Sequence, residues 1–297
     1  MRSLPFCQYD AFTLTPLEGN ACAIIYDADD LTEKEMQALA LEMNLSETSY
    51  VMRSEVADFR FRYFTPAEEI PLAGHPTIAT VASLVESGRL ELSGASTQVR
   101  VELTAGVVEV EVVSGDDVVP TIVMKQKQPE FLRTFDAADV MHAFGLTPDD
   151  ALEGVPIKTV STGTPQLMIP IRSHEALRRA QLDISRYRAL KDAGDFFSPH
   201  LFCLQGFTDE GDTSARHFGL PPDTLEDPFT GSATGGMAAY LWHYGLIETP
   251  NFVAEQGHWM GRPGRGTVEV GGPPDAIESV RIGGTAVKVM EGSVFLR

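Results

Sequence analysis

Two stretches of this chain repeat each other 157 positions apart: EIPLAGHPTIATVASLVESG from Glu69 and EDPFTGSATGGMAAYLWHYG from Glu226. At that offset Glu69 meets Glu226, Pro71 meets Pro228, Gly74 meets Gly231, Thr77 meets Thr234, Ala82 meets Ala239, Leu84 meets Leu241 and Gly88 meets Gly245. Seven identities in twenty imply a duplicated fold of two similar lobes. Each copy has the same physical plan, a Pro-containing turn, a Gly at a helix start, an uncharged helix and a closing Gly. The first amide groups of such a helix lack intrahelical partners, and the aligned peptide dipoles leave partial positive charge there, so each copy offers an anion-binding end.

Neither Pro76–Val85 nor Ser232–Tyr240 carries a charged residue, which predicts helices buried all round. Ala79, Ala82, Gly235, Gly236 and Ala239 would let strands approach closely. The expectation is an α+β fold of two pseudo-symmetric lobes, each a mostly antiparallel, barrel-like sheet wrapped around a central helix. The two helix starts would then meet at a cleft. The boundary is read as residues 1–127 and 128–297, with the last strand free to return to the first lobe, and 297 residues suffice for two such cores.

Strands are expected at PFCQYDAF and ACAIIY with a Gly19-Asn20 turn between them, followed by a helix whose Thr32 and Glu35 fit a capping box and which ends near Asn44. SYVM, DFRFRYFT, the hairpin QVRVEL/GVVEVEVV and TIVMKQKQ read as further strands, with SGDD as a turn. The second lobe reads as helix at DAADVMHAFG, strands IKTVST and QLMIPI, helices in SHEALRRAQL and ISRYRALKDAG, then strands HLFCLQGF and SARHF. Its order echoes the first: GNACAII resembles GTPQLMI, and RYF at Arg62 resembles RHF at Arg216. GRPGRG from Gly261 reads as a hairpin turn, not a phosphate loop.

Hydrophobic content of 43% with 22% charged residues excludes a disordered chain. A net charge of −19 argues against nucleic acid and anionic membrane as partners. It leaves room for a small anionic ligand held by local amides. MRSLPFCQYD lacks the apolar core of a secretory signal, which suggests a cytoplasmic protein. Three dispersed cysteines suit buried reduced thiols, and no metal-ligand spacing is present.

GNxxAII, NLSETSYV, the FTPxEExxLxGHPT segment, DPFTGSATG and QGxxMGRP at Gln256 resemble the PhzF-like isomerases of phenazine biosynthesis. The resemblance implies the diaminopimelate-epimerase-like fold, a homodimer, and cofactor-free isomerisation of a small carboxylated, dihydro-hydroxyanthranilate-like substrate. Racemases of the wider fold place a thiol before each repeat glycine, whereas this chain has Ala73 and Thr230, so a two-cysteine racemase is excluded. By motif the catalytic residues are Glu47, His75 and Asp227. Glu47 is the proton shuttle, in an apolar setting given by Leu45, Tyr50 and Val51, and Gly74, Gly231, Ser232 and Thr230 bind substrate.

Each of these residues also has a structural reading. Asn44 and Glu47 fit a capping pattern, His75 a satisfied core histidine, Asp227 an Asx-turn and Ser232 a helix cap. Tyr240 and Trp242 read as packing. An epimerase or dehydratase on the same fold, or a non-catalytic ligand-binding protein, are the alternative functions.

Overall fold

The computed structural model describes residues 1–115 and 118–296, so the SGDD turn at Ser114–Asp117 falls partly outside the described residues. The fold is mixed α+β, and the chain forms two compact units, Met1–Met124 with Gly283–Arg297, and Lys125–Ile282.

In the first unit, strand Arg2–Ala11 pairs antiparallel with Asn20–Ile25 on one side and with Ala286–Leu296 on the other. Gly19, at φ +58°, turns the chain where an added Cβ would stand 2.2 Å from the Ala11 carbonyl oxygen. Asn20–Ile25 runs parallel to Glu47–Met52, with Cys22 opposite Glu47. The crossover between them is the helix Glu33–Met43, opened by the Thr32/Glu35 capping box. Asn44 closes it in the left-handed region, and Glu47 opens the next strand, so the two do not form a cap together.

Glu47–Met52 continues antiparallel to Phe59–Phe64, which pairs parallel with Ser96–Leu103. Ser96–Leu103 and Gly106–Gly115 then form the foreseen hairpin.

The second unit repeats this topology. Pro165–Pro170 runs parallel to Ser198–Cys203, with Gln166 opposite Ser198. Helices His174–Arg179 and Ile184–Asp192 lie in that connection. Ser198–Cys203 is antiparallel to Thr213–Phe218, which pairs parallel with Asn251–Gln256. Of GRPGRG, only Gly261–Pro263 lie in the connection, and Gly264 already begins the strand Gly264–Gly271.

The repeat helices are Gly74–Glu86 and Gly231–His243. The first packs on strands Arg2–Ala11, Asn20–Ile25, Glu47–Met52 and Ala286–Leu296. The second packs on Ile157–Ser161, Pro165–Pro170 and Gly264–Gly271. Leu84 and Leu241 are fully buried. Each accepts a bond from beyond the helix end, from the amides of Arg89 and Leu246, across glycines at φ +69° and +64°. That 6→1 closure satisfies carbonyls the helix leaves open.

Other repeat identities also have duplicated contacts. Arg62 holds Glu69 through Nε–Oε1 at 2.7 Å and Nη2–Oε2 at 2.5 Å, and Arg216 holds Glu226 through the same atoms at 2.8 and 2.7 Å. Each guanidinium lies over the aromatic ring two residues on, Phe64 or Phe218. Thr77 and Thr234 bond the carbonyls of Ala73 and Thr230, four residues back. Tyr240 packs edge-on to Phe202 and donates to the Pro156 carbonyl, while Trp242 donates to that of Gly272.

Candidate functional site

In the first unit three predicted residues come together. Strand alternation puts Glu47, Ser49 and Val51 on one face of Glu47–Met52, the face toward the repeat helix, since Ser49 Oγ accepts from Thr80. Glu47 Oε2 lies 3.3 Å from Nε2 of His75, the second residue of that helix. Gly74 is the first residue. Tyr50 does not supply the setting expected of it. It lies on the opposite face, in the cluster with Ile25, Met36 and Phe64, and its hydroxyl donates to the Met36 carbonyl. Val51 shares the face of Glu47.

His75 is 4% exposed, and burial drives its pKa down to about 3 against the opposing hydrogen bond that the ring gives to the backbone of Ala21. The ring is therefore neutral at physiological pH. Its Nδ1 lies 3.1 Å from Asn20 Nδ2. Across the parallel ladder from Glu47, the thiol of Cys22 is fully buried, and burial and the nearby Glu47 charge push its pKa well above the usual value.

In the second unit Asp227, Thr230, Gly231 and Ser232 cluster at the other helix start. Thr230 Oγ1 donates to Asp227 Oδ2 at 2.5 Å. The carboxamide of buried Gln256 ties the turn together: its Nε2 donates to the Asp227 carbonyl at 2.7 Å and to Thr230 Oγ1 at 3.2 Å, while its Oε1 accepts from the Thr230 amide. The Thr230 hydroxyl is thus committed to holding Asp227. Ser232 Oγ accepts from Gln166 Nε2 at 3.3 Å.

Neither N-cap side chain closes its own helix. Ala73 has no polar group to offer, and Thr230 turns its hydroxyl to Asp227. The first amides of both helices remain donors for an anion. Ser232 is not the cap of its helix, because Thr230 takes that position.

No site role for Asn20, Gln126, Gln166 or Gln256 follows from the sequence. Gln126 Nε2 donates to the Gly231 carbonyl and its Oε1 accepts from Thr162. Asn20 and Gln256 lie inside the motifs GNxxAII and QGxxMGRP. Gln126 and Gln166 carried no local signal, because their partners are 105 and 66 residues away.

The chain is similar to known proteins over nearly its whole length. Residues 9–292 match the family model described as "Phenazine biosynthesis-like protein", PhzC-PhzF. The uncharacterized isomerase YfhB of Bacillus subtilis is 35% identical, over 97% of each chain. The trans-2,3-dihydro-3-hydroxyanthranilate isomerase of Pseudomonas aeruginosa is 31% identical, over 97% of this chain and 98% of that one. The crystal structure of a PhzF-family phenazine biosynthesis protein from Bacillus anthracis superposes over 100% of both chains, with a TM-score of 0.90 and 34% identity. No described helix is long and apolar enough to cross a membrane. The chain belongs to the phenazine biosynthesis-like PhzC-PhzF family and is an isomerase of it.

Proposed function

We propose that this chain is a cofactor-independent isomerase, acting as a cytoplasmic homodimer, in which Glu47 carries a proton between two carbons of a small carboxylated ring of the dihydro-hydroxyanthranilate type. The observation that carries the reading is the pairing of Glu47 with a buried, neutral His75 at a helix start. The carboxylate removes a proton from carbon, the electron pair shifts through the conjugated system, and the same oxygen returns the proton at another carbon. Glu47 ends the cycle as it began. An enol formed in this way relaxes to the ketone.

A base acting on carbon benefits from partial burial and fixed geometry. Glu47 has 18% of its side chain exposed and faces a ring that is itself immobilised. Because His75 stays neutral, it serves as a polar neighbour of the shuttle and not as an imidazolium acid. Asp227, held by Thr230 and Gln256, suits a substrate amine or hydroxyl. Ser232 and the amides beginning at Gly74 and Gly231 suit a carboxylate. The dimer rests on the family resemblance.

The test is turnover of trans-2,3-dihydro-3-hydroxyanthranilate in deuterated water. Wild type should place solvent deuterium in the product, and Glu47→Gln should lose that incorporation by at least about 100-fold. Undiminished incorporation in the variant would remove Glu47 as the shuttle.

A further inference from the structure

Behind Ser232 runs a row of buried polar side chains that the reaction does not use. Gln166 is 2% exposed, Ser198 4%, His217 6% and His200 0%. Gln166 Nε2 lies 3.3 Å from Ser232 Oγ, and Ser198 Oγ lies 2.7 Å from Gln166 Oε1. His217 Nε2 lies 2.8 Å from Ser198 Oγ, and His200 Nδ1 lies 3.3 Å from His217 Nδ1.

Proton inventory gives the row a direction. The hydroxyl proton of Ser198 goes to Gln166 Oε1, a carbonyl oxygen with nothing to donate. His217 must then donate from Nε2 to Ser198, which leaves its Nδ1 as an acceptor. His200 fills that acceptor with an Nδ1 proton. What remains at the far end is His200 Nε2, buried without a hydrogen-bond partner. In this direction the orphan is an acceptor lone pair. The reverse direction would bury an N–H with no acceptor, which costs more.

The same positions in the first unit are wired differently. Ser49, two residues into its strand as His200 is into its own, bonds Thr80, and Tyr63, of RYF against RHF, bonds Thr77. Those bonds stay local to the repeat helix. In the second unit the row instead runs through four side chains to Ser232 at the helix start.

We propose that His200, His217, Ser198 and Gln166 form a one-way hydrogen-bond chain whose last donor, Gln166 Nε2, occupies the acceptor side of Ser232 Oγ and leaves the Ser232 proton aimed at a ligand carboxylate. They are positioning residues, and the assignment of that ligand rests on the function proposed above. Burial keeps both rings neutral, pushing His217 down to about 3 with help from the Lys191 charge, and His200 well below the usual value with help from His217. A neutral ring carries one proton, so each tautomer is a yes-or-no readout of direction.

Nitrogen NMR of the histidine rings tests the chain without any substrate. Wild type should show His217 as the Nε2–H tautomer and His200 as Nδ1–H. In Gln166→Leu, Ser198 loses its acceptor and turns its proton to His217 Nε2, so His217 should move to Nδ1–H. The opposite tautomers in wild type, or a His217 tautomer unmoved by Gln166→Leu, overturn the chain. Ser198→Ala cuts the row at a smaller side chain and serves if Gln166→Leu does not fold: the ligand-side effect below should then appear in it.

The ligand side is read by titration with anthranilate as a probe carboxylate. Gln166→Leu should weaken its binding at least about 10-fold, and Ser232→Ala/Gln166→Leu should bind no worse than Ser232→Ala alone, since both changes remove one interaction. Unweakened binding in Gln166→Leu, or fully additive losses, overturn the coupling. Equal binding by wild type and Ser232→Ala would instead strike the assignment of Ser232 to the ligand, and the tautomers alone would then decide the chain.

Discussion

The carboxylate of Glu47 stands 3.3 Å from Nε2 of His75, a ring that burial keeps uncharged. In the proposed reaction a neutral neighbour would leave the charge of the Glu47 carboxylate in place, as a proton shuttle requires. Glu47→Asp, whose oxygen falls about one methylene short, should retain a small part of the activity that Glu47→Gln loses. His75→Gln should lower kcat by about 10- to 100-fold. Because His75 titrates near 3, no limb of the wild-type kcat/KM profile near pH 6.5 should vanish in His75→Gln. Loss of such a limb would show that the ring changes charge in the working range.

Acid should destabilise the fold through its buried histidines. His75 and His217 are held down to about 3, and His200 lies well below its usual value. Below about pH 6.5 the unfolded chain takes up protons on these groups and the folded chain does not. Their stabilisation is complete above that pH and is lost as pH falls toward 3. Each contributes a slope of up to about 1.4 kcal/mol per pH unit in that window. Urea midpoints at pH 7 and pH 5 measure it, and His200→Gln should flatten the dependence by about one group's share.

The duplicated ion pairs give a matched comparison. Arg62–Glu69 and Arg216–Glu226 are both bidentate and between 12% and 20% exposed. Glu69→Gln and Glu226→Gln should each cost about 2–3 kcal/mol, less than a fully buried pair loses when one partner goes. Thermal or urea unfolding of the two variants checks this, and a change below about 0.5 kcal/mol in both would reduce the pairs to surface contacts.

Gly235 and Gly236 separate close approach from flexibility. A Cβ on Gly235 would stand 1.8 Å from Gln126 Oε1, whose carboxamide bonds Gly231 and Thr162. Gly235→Ala should cost about 1–3 kcal/mol. A Cβ on Gly236 meets the Met168 methyl at 3.0 Å. That thioether can move, and the helical preference of Ala offsets about 0.5–1 kcal/mol, so Gly236→Ala should be close to neutral. Equal losses in the two variants would point to backbone crowding instead of the Gln126 contact.

The chain announces its scaffold more openly than its wiring. The charge-free repeat helices, the Thr32/Glu35 capping box and the two-residue hairpin after Leu103 depend on neighbours within a few positions, so periodicity reveals them. Tyr50 shows the first limit: a one-residue step along a strand sends a side chain to the other face. From Leu45, Tyr50 and Val51 alone nothing says which face carries Glu47. Asn44 and Glu47 show the second, since a capping pattern is equally well met by a helix closing at φ +51° and a strand opening three residues later. Glu47, His75 and Asp227 were reachable only through whole motifs. Gln126 and Gln166 were not reachable, because a carboxamide that bridges distant segments leaves no local trace.

The pairing of Arg2–Ala11 with Ala286–Leu296 also sets an order of assembly on the ribosome. The second unit is one continuous run, Lys125–Ile282, while the first needs Gly283–Arg297. Although it is translated later, the second unit is the first whose strands are all present. Until Gly283–Arg297 emerges, the strand Arg2–Ala11 offers an open edge, and the rate of synthesis across that stretch governs how long the edge stays exposed to other nascent chains.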